Sequence, residues 1–545
     1  MKKTIIYLTL LLTVMGIVSA REATFRTGID NIEFRLDGKS IPGGWYVSPE
    51  ENPDIIETTA REIFFASDVD SISVILDEWE RFYLDMLTAR GDTARVRITR
   101  YPVCPFENPD SELLKLPASG KLSREQAAFD IDALVYTLDQ VHPDIFSVCG
   151  QESFFRAVNK AKASLPDSVS PVELYLRVAP VVSMIGDGHT SLVFPFNSFF
   201  TRDTKRFPVF VDILSDGAMN CRMSVDSVIP RDARILSING VSATEMVDSM
   251  LPFVSGEKRH FRMSGVNYSF PALLLTMYPA DSYTVEYLPR GNKKPLRHIF
   301  PALTLDEIRP RLPKENAVQK RDIYSFTVDS VNNVAVMDFK SFQDVPRMVH
   351  FADSMFSALR EKHIGNLIID LRDNGGGNSA VGDVLLRYLS PIPFTQMEKA
   401  LVKVTPTTAR LRELPIPAGG FEFYDSDPSE YIVPLTVQEG HYDGKVYLLT
   451  SNKTFSSAGS FAWAFKETGA GTVVGEETGG MNVSFGEVIY FALPVSKLYS
   501  SVSCKRFWQF HADENDIHGT LPDIPVPAAD AMSAAMKLAK KNRRK

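Results

Sequence analysis

Three short segments of this sequence carry side chains able to do covalent chemistry. In Tyr447-Leu448-Leu449-Thr450-Ser451-Asn452-Lys453-Thr454-Phe455-Ser456-Ser457-Ala458-Gly459-Ser460 an apolar run ends, a polar turn follows, and small residues open a helix. A serine at a helix N-terminus sits where free N–H groups and the helix dipole favour developing negative charge. Capping of that helix by Thr454 or Ser456 is the plainer use of the same residues. In Leu367-Ile368-Ile369-Asp370-Leu371-Arg372-Asp373-Asn374-Gly375-Gly376-Gly377 an apolar strand runs into three glycines. Glycine admits positive φ and leaves N–H groups uncovered, which suits a phosphate or an oxyanion, and equally a simple tight turn. No Gly-Lys-Ser/Thr follows, which speaks against a nucleotide-phosphate loop. The third segment is Gly186-Asp187-Gly188-His189-Thr190, holding one of nine histidines. With no His-x-x-x-His and no Cys-x-x-Cys, the chain offers no metal-ligand spacing.

Taken in order, these segments resemble the carboxy-terminal processing (tail-specific) serine peptidases, and most of all their tricorn-core and retinoid-binding-protein-like branch. The family's "D-G-H-T", "I-D-L-R-x-N-x-G-G", "T-x-S-x-x-E", "V-V-G-E-x-T-G-G" and "G-x-x-P-D-x-x-V" stand here as Asp187–Thr190, Ile369–Gly377, Thr454–Gly459, Val473–Gly480 and Gly519–Val526. The resemblance implies a crotonase-like or ClpP-like α/β peptidase core and a serine nucleophile at Ser456. Ser457 would lend its backbone N–H to an oxyanion hole, with Gly376 or Gly375 as the other donor. The lysine base of tail-specific members would fall 25 residues after Ser456, where Met481 stands and cannot take a proton. The tricorn-like branch uses a histidine instead, which here is His189. An acid three residues before the last motif's glycine, Asp516, would orient it, with Glu514 as a neighbouring candidate. Three positions depart from the pattern: Gly459 replaces the family acid, Gly188 replaces a serine that can precede the histidine, and Asp516 is shorter than the usual Glu. No cofactor and no metal is implied; the substrate would be a polypeptide. A catalytically silent protein holding a peptide or an apolar ligand on the same fold is the alternative, and Gly459 is the feature that favours it.

The elements that must position these residues are legible in outline. Phe129, Ile131, Leu134, Val135, Leu138 and Val141 recur at helical spacing, and further helices fit 151–164 and 171–184. Residues 120–204 thus form a helical segment carrying His189. Residues 205–300 read as β-rich; Ile235-Leu236-Ser237-Ile238-Asn239-Gly240 followed by Ser242 and Glu245 resembles part of a PDZ domain, interrupted by an insertion at 255–280. Over 322–530 the strands Val334–Phe339, Leu367–Leu371, Val446–Thr450 and Thr472–Val474 alternate with helices at 345–362, 379–389 and 456–468. That alternation predicts an α/β core on a mainly parallel sheet. Residues 21–115 read as an accessory β-rich domain, and 531–545 as a basic tail.

Composition limits the remaining choices. The chain has 545 residues, 44% of them hydrophobic, enough for several buried cores. Its net charge of -8 offers no positive field for nucleic acid. Four scattered cysteines make no disulfide framework, and no bridge is expected. Lys2 and Lys3, an apolar run from Ile5 to Val18, and Val18-Ser19-Ala20 form a signal peptide at residues 1–20. That run falls short of the roughly 20 residues a spanning helix needs. No membrane span is expected after cleavage. The sequence therefore predicts an exported serine endopeptidase, periplasmic or secreted.

Overall fold

The computed structural model describes residues 120–313, 322–405 and 420–542, together with Thr407, Thr408 and Arg412; before residue 120 it describes only the backbone of short strands. Of the leader expected at 1–20 it describes only the strand Thr9–Leu11, paired antiparallel with Glu22–Thr27; the rest lies outside the described residues. Within 21–115, the strands Val69–Leu76, Phe82–Thr88 and Thr93–Tyr101 pair antiparallel.

The run Asn366–Asp370 is buried along its whole length, as a strand covered on both faces must be. It lies within a six-stranded sheet in the order Tyr324–Asp329, Val334–Phe339, Asn366–Asp370, Lys445–Thr450, Thr472–Gly475, Ile524–Pro525. Only the first pair is antiparallel. On one face, Leu367 and Ile369 share a core with Phe356, Leu385 and Phe461, one from each of the helices Val345–Glu361, Ala380–Leu389 and Ser457–Glu467. On the other, Ile368, Tyr447 and Leu449 meet Ala531, Ala535 and Ala539. Those alanines belong to the helix Ala528–Asn542, so residues read as a basic tail instead cover the sheet's second face. Alanines four apart give a flat strip that lets helix and sheet approach closely.

A second sheet was not foreseen. Tyr499–Gln509 pairs antiparallel with Val483–Ala492, Met397–Val404 and the short strand Ser191–Leu192; Gly420–Asp425 extends it at one edge. Its central strand buries Ser500, Ser501 and Ser503, so it lacks the apolar period that marks a strand in sequence. This sheet joins the helical segment to the core. Asp130 of the helix Arg124–Val141 accepts the N–H groups of Val495 (2.8 Å) and Ser496 (2.7 Å) at the hairpin between the two longest strands.

Between these parts stands an antiparallel sheet of Val209–Ile213, Met219–Ser224, Arg234–Ile238, Ser282–Leu288 and Leu296–Pro301. Ser242 caps the helix Ala243–Met250 by accepting the Glu245 N–H at 3.2 Å. The expected insertion is a long helix, Arg259–Met277. Cys149, Cys221 and Cys504 are unbridged. Among the described residues no helix is long and apolar enough to cross a membrane.

The alanine strip gives a direct test. Ala535 is fully buried, and Ala535→Leu should overpack the helix against the sheet at a cost of about 1–3 kcal/mol. Urea titration should show an earlier midpoint, and an unchanged midpoint would mean the helix is not docked there.

Candidate functional site

The turn that carries Ser456 is built by two loops locking together. Strand Lys445–Thr450 ends and the chain turns through Ser451–Ser456 into the helix Ser457–Glu467. Thr454 Oγ1 accepts the Ser451 N–H (3.0 Å) and donates to Leu371 O (2.8 Å), while Ser457 Oγ donates to Gly377 O (2.6 Å). Phe455 N–H reaches Asn374 O at 3.1 Å. These bonds hold Ser456 at φ 54°, ψ -130°, a conformation that L-residues rarely adopt. Such strain costs about 1–3 kcal/mol and persists only where the surroundings enforce it. It resembles the strand–turn–helix elbow that pushes a serine hydroxyl clear of its backbone. Neither Ser456 nor Thr454 caps the helix through its hydroxyl.

Glycine is required at one point of the partner loop. Gly376 has φ +97°, and a Cβ there would stand 2.7 Å from Phe455 O and 2.8 Å from Ser456 Cβ. Gly376 thus lies against Ser456, but its N–H donates to Asn374 Oδ1 at 2.9 Å. That Asx turn is why Gly376 is not a free oxyanion donor here. A Cβ on Gly375 would meet only open space. Ser457 opens the helix, so its N–H has no intrahelical acceptor and stays beside the hydroxyl.

His189 arrives from the other direction. After the helix Pro171–Ser183 the chain turns, and Ser191–Leu192 joins the second sheet. Ser501 Oγ donates to His189 O at 2.8 Å and fixes its backbone. Its Nε2 then lies 3.0 Å from Ser456 Oγ across 267 residues of chain. Phe455 stacks on the imidazole with ring centroids 4.5 Å apart. An imidazole nitrogen at that distance can take the hydroxyl proton.

Asp187 is the residue the sequence reading passed over, although it stands in the quoted motif. It is wholly buried. Its Oδ2 accepts from Thr190 Oγ1 (2.5 Å), Ser503 Oγ (2.6 Å) and His142 Nε2 (3.3 Å), and its Oδ1 accepts the His189 N–H (2.9 Å). The Asp144 N–H donates to His142 Nδ1 at 3.0 Å, so Nε2 carries the proton toward Asp187. Burial alone would raise the Asp187 pKa, but the hydrogen bonds and charges of His142 and His189 hold it well below the ordinary carboxylate value. For His189, burial works downward, and the Asp187 and Glu257 carboxylates overcome it to give a net rise. Asp187 Oδ1 is 3.8 Å from His189 Nδ1, and Nδ1 has no hydrogen-bond partner.

The acid expected to orient the imidazole is elsewhere. Asp516 accepts the Asp513 N–H at 2.8 Å in an exposed turn. Glu514 accepts from Trp508 Nε1 (2.8 Å) and pairs with Arg506. A turn bond ties Asp516 to its own loop, side chains of the strand Tyr499–Gln509 hold Glu514, and neither acid is bonded to His189. No lysine competes for Ser456 among the described residues. Lys453 faces Asp373 at 3.7 Å, Lys466 pairs with Asp523 at 2.9 Å, and Met481 lines the cavity wall. That cavity, about 300 Å³, opens beside Ser456 and His189 and is walled by Met397, Phe455, Met481, Phe485 and Phe507. Gly459 also faces it, and a Cβ there would touch nothing within 4 Å.

Residues 333–526 match the model of peptidase family S41. Over those residues, the sheet and helices that hold Ser456, the chain is similar to that family. Its members are serine-type peptidases, and the mixed α/β core described above is the S41 fold. A solved structure of mature CPAF complexed with lactacystin is similar over 77% of this chain and 98% of its own, with TM-score 0.56 and 15% identity. The photosystem II D1 C-terminal processing protease is similar over 76% of this chain and 97% of its own, with TM-score 0.40 and 13% identity.

Asp187 also sets an acid limit on the fold. Because its folded pKa lies below 3.8, its ionised form favours folding above that pH, and the contribution is lost as pH falls through the depressed value. Asp187→Asn should cost about 3–5 kcal/mol at neutral pH, the scale for breaking a buried paired charge. In urea titrations the gap to the parent protein should narrow below about pH 4; a constant gap would contradict this.

Proposed function

We propose that this chain is an exported serine endopeptidase in which Ser456 is the nucleophile and His189 its base. The single observation that carries the reading is the 3.0 Å approach of His189 Nε2 to a serine hydroxyl held on strained backbone. Nε2 takes the proton as Oγ attacks a peptide carbonyl, and the resulting imidazolium returns that proton to the leaving amine. The Ser457 N–H stands beside the hydroxyl to stabilise the oxyanion, and water completes deacylation. Nearby carboxylates favour the imidazolium, so the transient positive charge does not stand alone. The chemistry asks for polypeptide as substrate, and the cavity offers it both apolar walls (Met397, Phe485, Phe507) and polar ones (Asn378, Asn482, Gln509).

A silent binding protein would have no use for a strained serine beside an unencumbered imidazole nitrogen, which weighs against the alternative. Gly459, the feature that favours that alternative, leaves the contact between Ser456 and His189 intact. The sheet over 209–301 with its Ser242-capped helix supports a PDZ-like reading, in which an extended chain adds to an edge strand.

Covalent labelling with a fluorophosphonate tests the nucleophile. Uptake should be stoichiometric in the parent chain, absent in Ser456→Ala, and reduced by several orders of magnitude in His189→Ala, whereas Lys453→Ala labels normally. Absence of labelling in the parent would point to the silent alternative. Labelling and peptide turnover should both decline as pH falls through the His189 pKa, which lies above 6.5, because only neutral imidazole accepts the proton. Export is tested separately: the mature protein should begin at Arg21 on N-terminal sequencing, and an intact Met1 after secretion would reject the leader.

A further inference from the structure

We propose that Glu257, supplied by the β-rich module rather than by the peptidase core, is the carboxylate that positions His189; this rests on the reading of His189 as the base. Glu257 lies between the helices Ala243–Met250 and Arg259–Met277, inside the insertion. Both its carboxylate oxygens are shut off from solvent and have no hydrogen-bond partner. His189 Nδ1 is in the same condition. One oxygen each of Asp187 and Glu257 and one imidazole nitrogen lie within 4.8 Å of one another. Leaving a buried donor and a buried acceptor unsatisfied is costly, and a small rotation that pairs them relieves both.

Asp187 is the poorer partner for Nδ1. Its two oxygens already take four donors, and it stands at 3.8 Å. Its charge, together with burial, pushes Glu257 up to about 7 while His189 draws it down. The segment is also pinned to the nucleophile turn. Phe261 stacks on Phe455 at 4.1 Å, Phe455 stacks on His189, and Asn452 Nδ2 donates to His260 O at 2.9 Å.

Gly188 supplies an independent sign. A Cβ at this residue would stand 2.6 Å from Phe261 Cε1, 2.8 Å from Phe455 Cζ and 3.0 Å from Glu257 Oε2. The space a serine side chain would fill beside the histidine is occupied by the incoming segment. The departure at residue 188 and the arrival of Glu257 are therefore one arrangement. Asp187 and His189 are the titratable groups facing Glu257. On its own segment, Arg259 pairs with Asp248, His260 faces Thr478 O, and Arg262 donates to Leu251 O and Val254 O.

The test is an NMR titration of the full chain with carbon-13-labelled histidine, the His189 resonance assigned by His189→Gln, run beside fluorophosphonate labelling. Glu257→Gln, of equal size, should lower the His189 pKa by about one unit or more, and Glu257→Asp, which shortens the reach, should lower it part-way. A His189 titration identical in parent and Glu257→Gln overturns the proposal. If labelling also persists and depends on Ser456, the peptidase reading survives without Glu257. If the titration shifts as expected while the parent chain never takes the label, Glu257 stands as the imidazole's partner and the peptidase reading falls.

Discussion

The arrangement turns on one buried carboxylate. Asp187 gathers a side chain from the helical segment's end (His142), one from its own loop (Thr190), one from the far sheet (Ser503) and the backbone of His189. Ionised and shut off from water, it is tolerable only while every donor is present. That requirement makes it a register pin: the loop can sit on strand Tyr499–Gln509 in one way, and the imidazole then has one place to go.

Ser456 is held by a different logic. Its loop and the glycine loop interlock through backbone carbonyls and hydroxyls, with Gly376 pressed so close that no side chain fits. Apolar burial on both faces of the parallel sheet supplies the stability that such local strain draws on. Base and nucleophile therefore depend on separate sheets, and the 3.0 Å contact between them measures how well those sheets are docked.

Much of this was legible in the sequence because local rules agree with the final structure. The unbroken run at Leu367–Ile369 marks a strand buried on both faces, and Ser242 with Glu245 marks a helix start. Five motifs in order singled out Ser456 and His189. The remainder was hidden for identifiable reasons. The antiparallel sheet escapes because its central strand buries serines, which carry no apolar period. Asp516 was expected by analogy of spacing, but a three-residue turn of its own keeps its carboxylate at the surface. Glu257 lies in an insertion about 200 residues before Ser456, and no local pattern distinguishes it from an ordinary surface glutamate. Ala531, Ala535 and Ala539 sit among lysines, whose charge masks a buried helix face.

The place of strand Tyr499–Gln509 in the chain has a consequence for the order of events during biosynthesis. His189 is anchored by Ser501 and, through Asp187, by Ser503, and both emerge from the ribosome after the nucleophile segment. A growing chain therefore carries its serine hydroxyl and its imidazole unassembled until the strand Tyr499–Gln509 has been made. The helix that seals the parallel sheet comes later still. A contact between hydroxyl and imidazole wired in this way cannot form while that strand is still to be added, so the fold itself keeps the time.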